Sequence, residues 1–160
     1  MEGRIFIEPI GKVKVKEEGY LVEIDAAYRA ALTNLDQFSH ALIFWWAHQN
    51  DRADLRRTTM VDLPYARGTR AGVFACRSQI RPNPIAVTTC ALLHVDVANG
   101  IVIVPWIDAF DGTPLIDIKP FMPTSDRVRV FHVAPWAKDW PEWMEDAGLY
   151  FQEHAVDFGD

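Results

Sequence analysis

Short stretches in which apolar and polar side chains alternate, punctuated by turn-forming residues, limit what this sequence can fold into more than any other feature. Lys12-Val13-Lys14-Val15-Lys16 puts valines on one side and lysines on the other, and after Glu17-Glu18-Gly19 the chain returns through Tyr20, Val22 and Ile24. Two residues is the period of a pleated strand, so this pair reads as a half-buried hairpin. His40 to Ala47 is aromatic, apolar and short, which suits a buried strand. Gly72 to Cys76 reads as another strand. Ile85 to Ala98 and Ile101 to Ile107 flank Asn99-Gly100, the dipeptide that favours a type I′ hairpin turn. Asp111-Gly112 marks a further turn, Leu115 to Ile118 a short strand, and Arg127 to Phe131 a last alternating strand. A helical stretch is expected over Ala26 to Leu32, a capped turn over Thr33 to Gln37, and a long irregular loop over residues 51–70. Seven or eight strands without strand–helix alternation, and without a GxGxxG, exclude a Rossmann sheet. They predict an all-β fold, a small antiparallel β-barrel with short helices and a C-terminal helical tail.

With 160 residues, 49% of them hydrophobic and 24% charged, the chain fits one globular core and excludes disorder, collagen and coiled coil. No apolar run approaches the roughly 18 residues of a membrane span, and the opening Met-Glu-Gly-Arg does not read as a secretory leader. A cytoplasmic protein without a membrane partner is expected. Cys76 and Cys90 form no CxxC pair, which argues against a zinc cluster or a disulfide framework. Charge is unevenly placed: residues 134–160 hold one lysine against seven acids, and so carry the whole net charge of −6. The expected organisation is therefore a barrel domain over residues 1–133 and an acidic tail over 134–160. In that tail Trp136, Trp140 and Trp143 lie at helical spacing, and Pro141 is placed to begin a helix running to about His154. The tryptophans are expected to seal the tail against the barrel or a second subunit.

Chemistry is concentrated in a few places. Arg52 to Arg81 contains seven arginines and two aspartates, a local charge of +5 that suits an anionic ligand or a nucleic-acid backbone, or else forms a solvated face. Phe74-Ala-Cys-Arg-Ser-Gln-Ile-Arg-Pro-Asn-Pro-Ile-Ala86 puts Arg77, Ser78, Arg81 and Asn83 into a segment that prolines stiffen on both sides of Asn83. A rigid loop with four polar side chains reads as a binding loop. Phe110-Asp-Gly-Thr-Pro-Leu-Ile-Asp-Ile-Lys-Pro120 joins a tight turn to Asp117 and Lys119 on one strand face. Ser39-His40 and His48-Gln-Asn50 bracket the aromatic strand.

These three segments resemble the tRNA (adenine-37-N6)-methyltransferase family of the TrmO type. Its pattern is close to F-S-H…H-x-N, then G-x-F-A-x-R-S-P-x-R-P-N-P-I-G, then D-G-T-P-x-x-D-I-K-P-[YF]-x-P-x-x-D. The counterparts are Phe38-Ser39-His40, His48 and Asn50, Gly72 with Phe74 to Ala86, and Asp111 to Asp126, all in order. Gln79 stands where proline is usual and Ala86 where glycine is usual.

The resemblance implies a β-barrel domain that binds S-adenosylmethionine, a homodimer with the cofactor near the subunit interface, and methyl transfer to N6 of threonylcarbamoyl-adenosine at position 37 of tRNA. DNA is not an expected partner. Long family members add a C-terminal domain, whose place the acidic tail takes in this sequence. Methyl transfer from a sulfonium requires mainly alignment of the two reacting atoms, so binding residues matter most. The cofactor contacts are expected from Phe74, Ala75, Arg77, Ser78, Arg81, Pro82, Asn83 and Ile85 in the first loop and from Asp111, Gly112, Thr113 and Leu115 in the second. His40, His48, Arg77 and Lys119 are assigned to the substrate. Asp117, Asp126 and Asn83 are the catalytic candidates, the two carboxylates as acceptors of the N6 proton. Two other functions remain open: methylation of a small molecule or another RNA, and a catalytically silent module that binds S-adenosylmethionine.

Overall fold

The computed structural model describes residues 5–154; residues 1–4 and 155–160, the ends of the expected domain and tail, lie outside the described residues. The strands are β1 (Gly11–Lys16), β2 (Gly19–Ile24), β3 (His40–Trp46), β4 (Met60–Asp62), β5 (Arg70–Gly72), β6 (Ile85–Ala91), β7 (His94–Asp96), β8 (Ile101–Val104) and β9 (Pro114–Pro120). Two α-helices follow, α1 (Pro123–Asp126) and α2 (Met144–Glu153). Seven strands form one sheet in the order β6-β3-β9-β1-β2-β8-β7, with antiparallel neighbours throughout, and β4 pairs β5 separately. The all-β expectation holds.

The sheet curls so that its two edges meet in sequence. β6 continues through Leu92 and Leu93 into β7. The Leu92 N–H donates to the Ser39 carbonyl at 2.8 Å, extending the β3 side, and the Leu93 N–H donates to the Ile103 carbonyl at 2.9 Å, extending the β8 side. Alternation fills the interior: Ala41, Ile43 and Trp45 of β3 join Val13, Val22, Val102, Val104 and Leu115, all essentially inaccessible to solvent. Trp45 Nε1 donates to Thr88 Oγ1 at 3.1 Å, so the buried indole N–H keeps a partner. Gly11 permits β1 to cross β2 closely, because an added Cβ would overlap the Glu23 carbonyl oxygen.

The expected hairpin over residues 11–24 forms, as does a 3-10 helix over Ala26–Leu32. Several local expectations are corrected. The Asn99-Gly100 hairpin is not type I′, because only Gly100 has positive φ (73°). The loop spans Val97 to Gly100, organised by the Asp96 carboxylate, which accepts the Asn99 N–H at 3.0 Å and its Nδ2 at 2.7 Å. Residues 51–70 are not wholly irregular, since Met60–Asp62 folds back on Arg70–Gly72. Gly72 to Cys76 leaves the strand early: the Val73 N–H closes on the Thr59 carbonyl at 3.0 Å and a 3-10 turn begins. Arg127 to Phe131 is not a strand. Its alternating side chains have no neighbouring edge for ladder bonds, and Val128 and Val130 are 71% and 93% exposed.

The tail tryptophans do not share a helix either. Trp136 sits in a 3-10 turn over Pro135–Ala137, Trp143 precedes α2, and α2 begins three residues after Pro141 because the segment between is bent. Trp140 does anchor the tail, packing edge-on against Tyr65 at 5.0 Å and Phe151 at 5.1 Å. Among the described residues no helix is long and apolar enough to cross a membrane.

Candidate functional site

The loop between β5 and β6 is held by a cluster at the far end of β3. Trp46 Nε1 donates to Asp51 Oδ2 at 2.9 Å, Arg56 Nε donates to Asp51 Oδ1, and Arg56 Nη1 reaches the Pro82 carbonyl at 3.4 Å. The Arg56 guanidinium also lies over the Trp46 ring, 5.4 Å from its centre. The Arg56 hydrogen bond, and then that of Trp46, hold the Asp51 carboxyl below the usual carboxylate range. Asn50 Nδ2 donates to Gln79 Oε1 at 3.0 Å, so the residue that replaces the usual proline ties the loop to the H-x-N segment. Ala86 pairs with Trp45 within the β3–β6 ladder. Within the loop, the Ile80 N–H donates to Ser78 Oγ at 3.2 Å and Arg81 lies 6.0 Å over the Phe74 ring.

A cavity of about 700 Å³ opens where the start of β3, the middle of β6, the segments on either side of α1 and the tail converge. Ser39, His40, Arg77 and Asp126 all line it, although they come from three separate stretches of sequence. His40 is oriented by Ser39, whose Oγ sits 2.9 Å from His40 Nδ1. Arg77 is exposed and makes no hydrogen bond or ion pair among the described residues. Asp126 Oδ2 accepts the Met122 N–H at 2.7 Å, which ties this carboxylate to its own helix start. Trp106 and Phe131 supply aromatic surface, and Asp108, Glu142 and Glu145 add carboxylates. Burial within the wall raises the Asp108 carboxyl above its ordinary value.

Other predicted residues fall elsewhere. His48 lies beyond the opposite end of β3 from His40, exposed and outside the cavity lining. Phe74, Ala75, Ser78, Arg81, Pro82, Asn83 and Ile85 form the loop leading into β6 but do not line the cavity, and Asn83 is exposed. Asp111 is engaged structurally: its Oδ1 accepts the Val15 N–H at 3.0 Å and its Oδ2 lies 3.8 Å from Lys14 Nζ. Gly112 takes the left-handed turn (φ 76°), while Thr113 and Leu115 are buried in the core at 1% and 0% exposure. The second motif segment thus helps to fix strand register. Asp117 faces a different, smaller cavity of about 350 Å³ and pairs with Lys119 Nζ at 2.7 Å. Sequence inspection overlooked Trp106, Asp108, Glu142 and Glu145. The W-I-D triplet carried a usable signal, an apolar residue flanked by two side chains that must point the other way.

Residues 6–127 match the family described as the tRNA-methyltransferase O N-terminal domain. A probable S-adenosyl-L-methionine-binding protein of Pyrococcus horikoshii is 38% identical over 117 residues, covering 72% of this chain and 81% of the relative. One from Halobacterium salinarum is 34% identical over 99 residues, covering 62% of this chain and 73% of its own length. The human tRNA (adenine(37)-N6)-methyltransferase is 36% identical over 96 residues, 60% of this chain but only 21% of that protein. The crystal structure of TrmO from Pseudomonas aeruginosa superimposes with a TM-score of 0.65 at 24% identity, covering 95% of this chain and 76% of that one, and so shares the fold. Sequence, fold and the order of the motifs agree, and this chain belongs to the tRNA-methyltransferase O N-terminal domain family.

Proposed function

We propose that this protein is an S-adenosylmethionine-dependent methyltransferase acting on N6 of adenine in tRNA, with threonylcarbamoyl-adenosine at position 37 as the acceptor. The observation that carries the proposal is the convergence of Ser39, His40, Arg77 and Asp126 on one cavity of about 700 Å³. That volume falls within the ~300–1,000 Å³ of small-molecule sites.

The lining fits the cofactor chemically. Arg77 has its donors free among the described residues and would take the amino-acid carboxylate, because a guanidinium fork matches a carboxylate in pairs. Glu142 and Glu145 place negative charge where a sulfonium and an ammonium need it, and Trp106 and Phe131 provide faces for a purine. When bound, S-adenosylmethionine supplies an electrophilic methyl group. The chain's own part is to orient: Ser39 holds the His40 ring, and the Asp51–Arg56–Pro82 links keep the loop that bears Arg77 in place.

Three finer statements belong to this proposal. The curled sheet is a closed small barrel, supported by the paired bonds of Leu92 and Leu93 to opposite edges. The protein is a cytoplasmic homodimer, its dimeric state supported by Val128 and Val130, two residues apart and 71% and 93% exposed, which a second copy would cover. Residues 1–133 are the cofactor-binding domain, and residues 134–160 are a tail docked through Trp140.

One observation favours a second reading, methylation of a small molecule: Glu142 and Glu145 of the acidic tail stand at the same cavity as Arg77, where they oppose a phosphate backbone. Labelled S-adenosylmethionine incubated with tRNA from cells lacking the modification, followed by digestion to nucleosides, separates the two. Label in N6-methylated threonylcarbamoyl-adenosine is the expected outcome, and label confined to a small-molecule fraction supports the alternative. Calorimetry is expected to show cofactor binding by the wild type and at least a tenfold weaker affinity for Arg77→Ala.

A further inference from the structure

We propose that Asp108 accepts the proton that the acceptor nitrogen loses as it is methylated. The inference rests on the methyl-transfer function above and names a residue for it. Asp108 lies just beyond β8, in the segment Trp106-Ile107-Asp108 that follows Val104 and Pro105. Ile107 is 1% exposed and drives this segment into the core, while Cys90 Sγ donates to the Trp106 carbonyl at 3.3 Å and the Ala109 N–H returns to the Ile107 carbonyl at 2.9 Å. Pinned at its middle residue, the segment turns Trp106 and Asp108 together into the cavity. A stacking face and a carboxylate two residues apart match what an adenine N6 presents, a flat ring with an N–H at its edge.

The other carboxylates compare poorly. Asp126 already accepts the Met122 N–H, and Asp117 pairs with Lys119 and faces the smaller cavity. Glu142 and Glu145 stand beside Trp143, whose ring Arg127 already covers at 5.6 Å, so they lack a free stacking face next to them. Asp108 makes no hydrogen bond or ion pair among the described residues, and its raised pKa makes it a stronger proton acceptor than an ordinary aspartate.

In the step itself, the nitrogen lone pair forms the new N–C bond while the pair of the breaking S–C bond stays on sulfur, leaving a neutral thioether. Asp108 takes the N–H proton, so the product nitrogen is neutral, and the proton then passes to water. The groups that share the cavity and bear on its ionisation are His40 from β3, Arg77 from the loop, Asp126 and Arg127 from the α1 segment, and Glu142 and Glu145 from the tail.

The test compares wild type with Asp108→Asn and Asp108→Glu in single-turnover methylation of tRNA that carries threonylcarbamoyl-adenosine but lacks the N6-methyl group, between pH 4.5 and 9, with S-adenosylmethionine affinity measured by calorimetry. Expected is a loss of about 100-fold or more for Asp108→Asn, with cofactor affinity within threefold of wild type. The wild-type rise in rate with pH should disappear in that variant and return in part in Asp108→Glu. A carboxyl signal of Asp108 titrating above the usual aspartate range by carbon NMR would support the assignment independently of turnover. An Asp108→Asn variant within threefold of the wild-type rate, or one keeping the same pH rise, overturns the inference while leaving the methyltransferase function standing. A cofactor affinity reduced as much as the rate also overturns it, since Asp108 would then hold the cofactor. If the wild type itself methylates no tRNA, the function and the inference fall together.

Discussion

Three side chains show how local bonds prepare this site. Asp51 accepts from Trp46 and Arg56, and Arg56 reaches on to the Pro82 carbonyl, so a loop rich in positive charge is fixed by one carboxylate. Gln79 compensates for an absent proline by a bond to Asn50, replacing a backbone restraint with a side-chain one. Asp108 is the opposite case, a carboxyl whose surroundings disfavour its charge. Its folded pKa lies above its unfolded value, so the folded state holds the proton more tightly. Stability from this group is complete below the unfolded aspartate value and is lost as pH rises through the folded one. Asp108→Asn is therefore expected to melt higher than wild type at pH 7, with the difference vanishing towards pH 3. Calorimetric melts at the two pH values check this, and an unchanged Tm at pH 7 would contradict it. That a functional group lowers stability is the usual trade at a site. The polar residues of the R-S-Q-I-R-P-N-P loop were visible in sequence because prolines and arginines announce themselves. Asp108 was legible only in part, because the W-I-D triplet says that Trp106 and Asp108 point away from Ile107 but not that they meet a cavity built from distant segments.

Element by element, the strands form where alternation coincides with a partner. β1 and β2 are neighbours in sequence and pair fully from Gly11–Ile24 to Lys16–Gly19. β3 sits between β6 and β9, both far away in sequence, and its register with each decides that Ala41, Ile43 and Trp45 face the core. Ile43→Ala should cost about 2–5 kcal/mol, the range for a buried aliphatic truncated to alanine. Gly11→Ala should cost about 3 kcal/mol, the upper part of the usual range for overpacking, because the new methyl would overlap the Glu23 backbone and the overlap cannot be relieved by a flexible side chain. Urea unfolding of the two variants measures both losses, and a Gly11→Ala protein as stable as wild type would show that β1 can move away from β2. Arg127 to Phe131 has the same alternation as β1 but becomes an exposed, irregular segment. Periodicity states which side chains could share a face; a strand also needs an edge to bind, and that edge is supplied by the rest of the fold.

At the scale of the whole molecule, the cavity, the apolar surface and the acidic tail come together. Trp140 docks the tail beside Tyr65, and Arg127 lies 5.6 Å over the Trp143 ring, which brings tail acids to the mouth of a cavity that also holds Arg77. Val130, 93% exposed, is a residue that a second copy would cover in the proposed dimer. Val130→Glu is expected to shift the protein from dimer to monomer at micromolar concentration, with unchanged far-UV circular dichroism. Light scattering coupled to size exclusion measures this, and a wild type that is already monomeric would remove the dimer from the proposal.

Alternation, turn dipeptides and proline placement by themselves determined that this chain is built from short antiparallel strands, and they singled out three polar segments as candidates for its chemistry. Those are local properties, set by backbone sterics and by which side chains lie two residues apart. Only the tertiary structure decided that Ser39, His40, Arg77 and Asp126 share one cavity, that Asp117 faces another, and that Thr113 and Leu115 are core. The same structure turned Asp108 towards the first cavity by burying Ile107. Such placements depend on pairings between strands distant in sequence, which a local pattern does not contain.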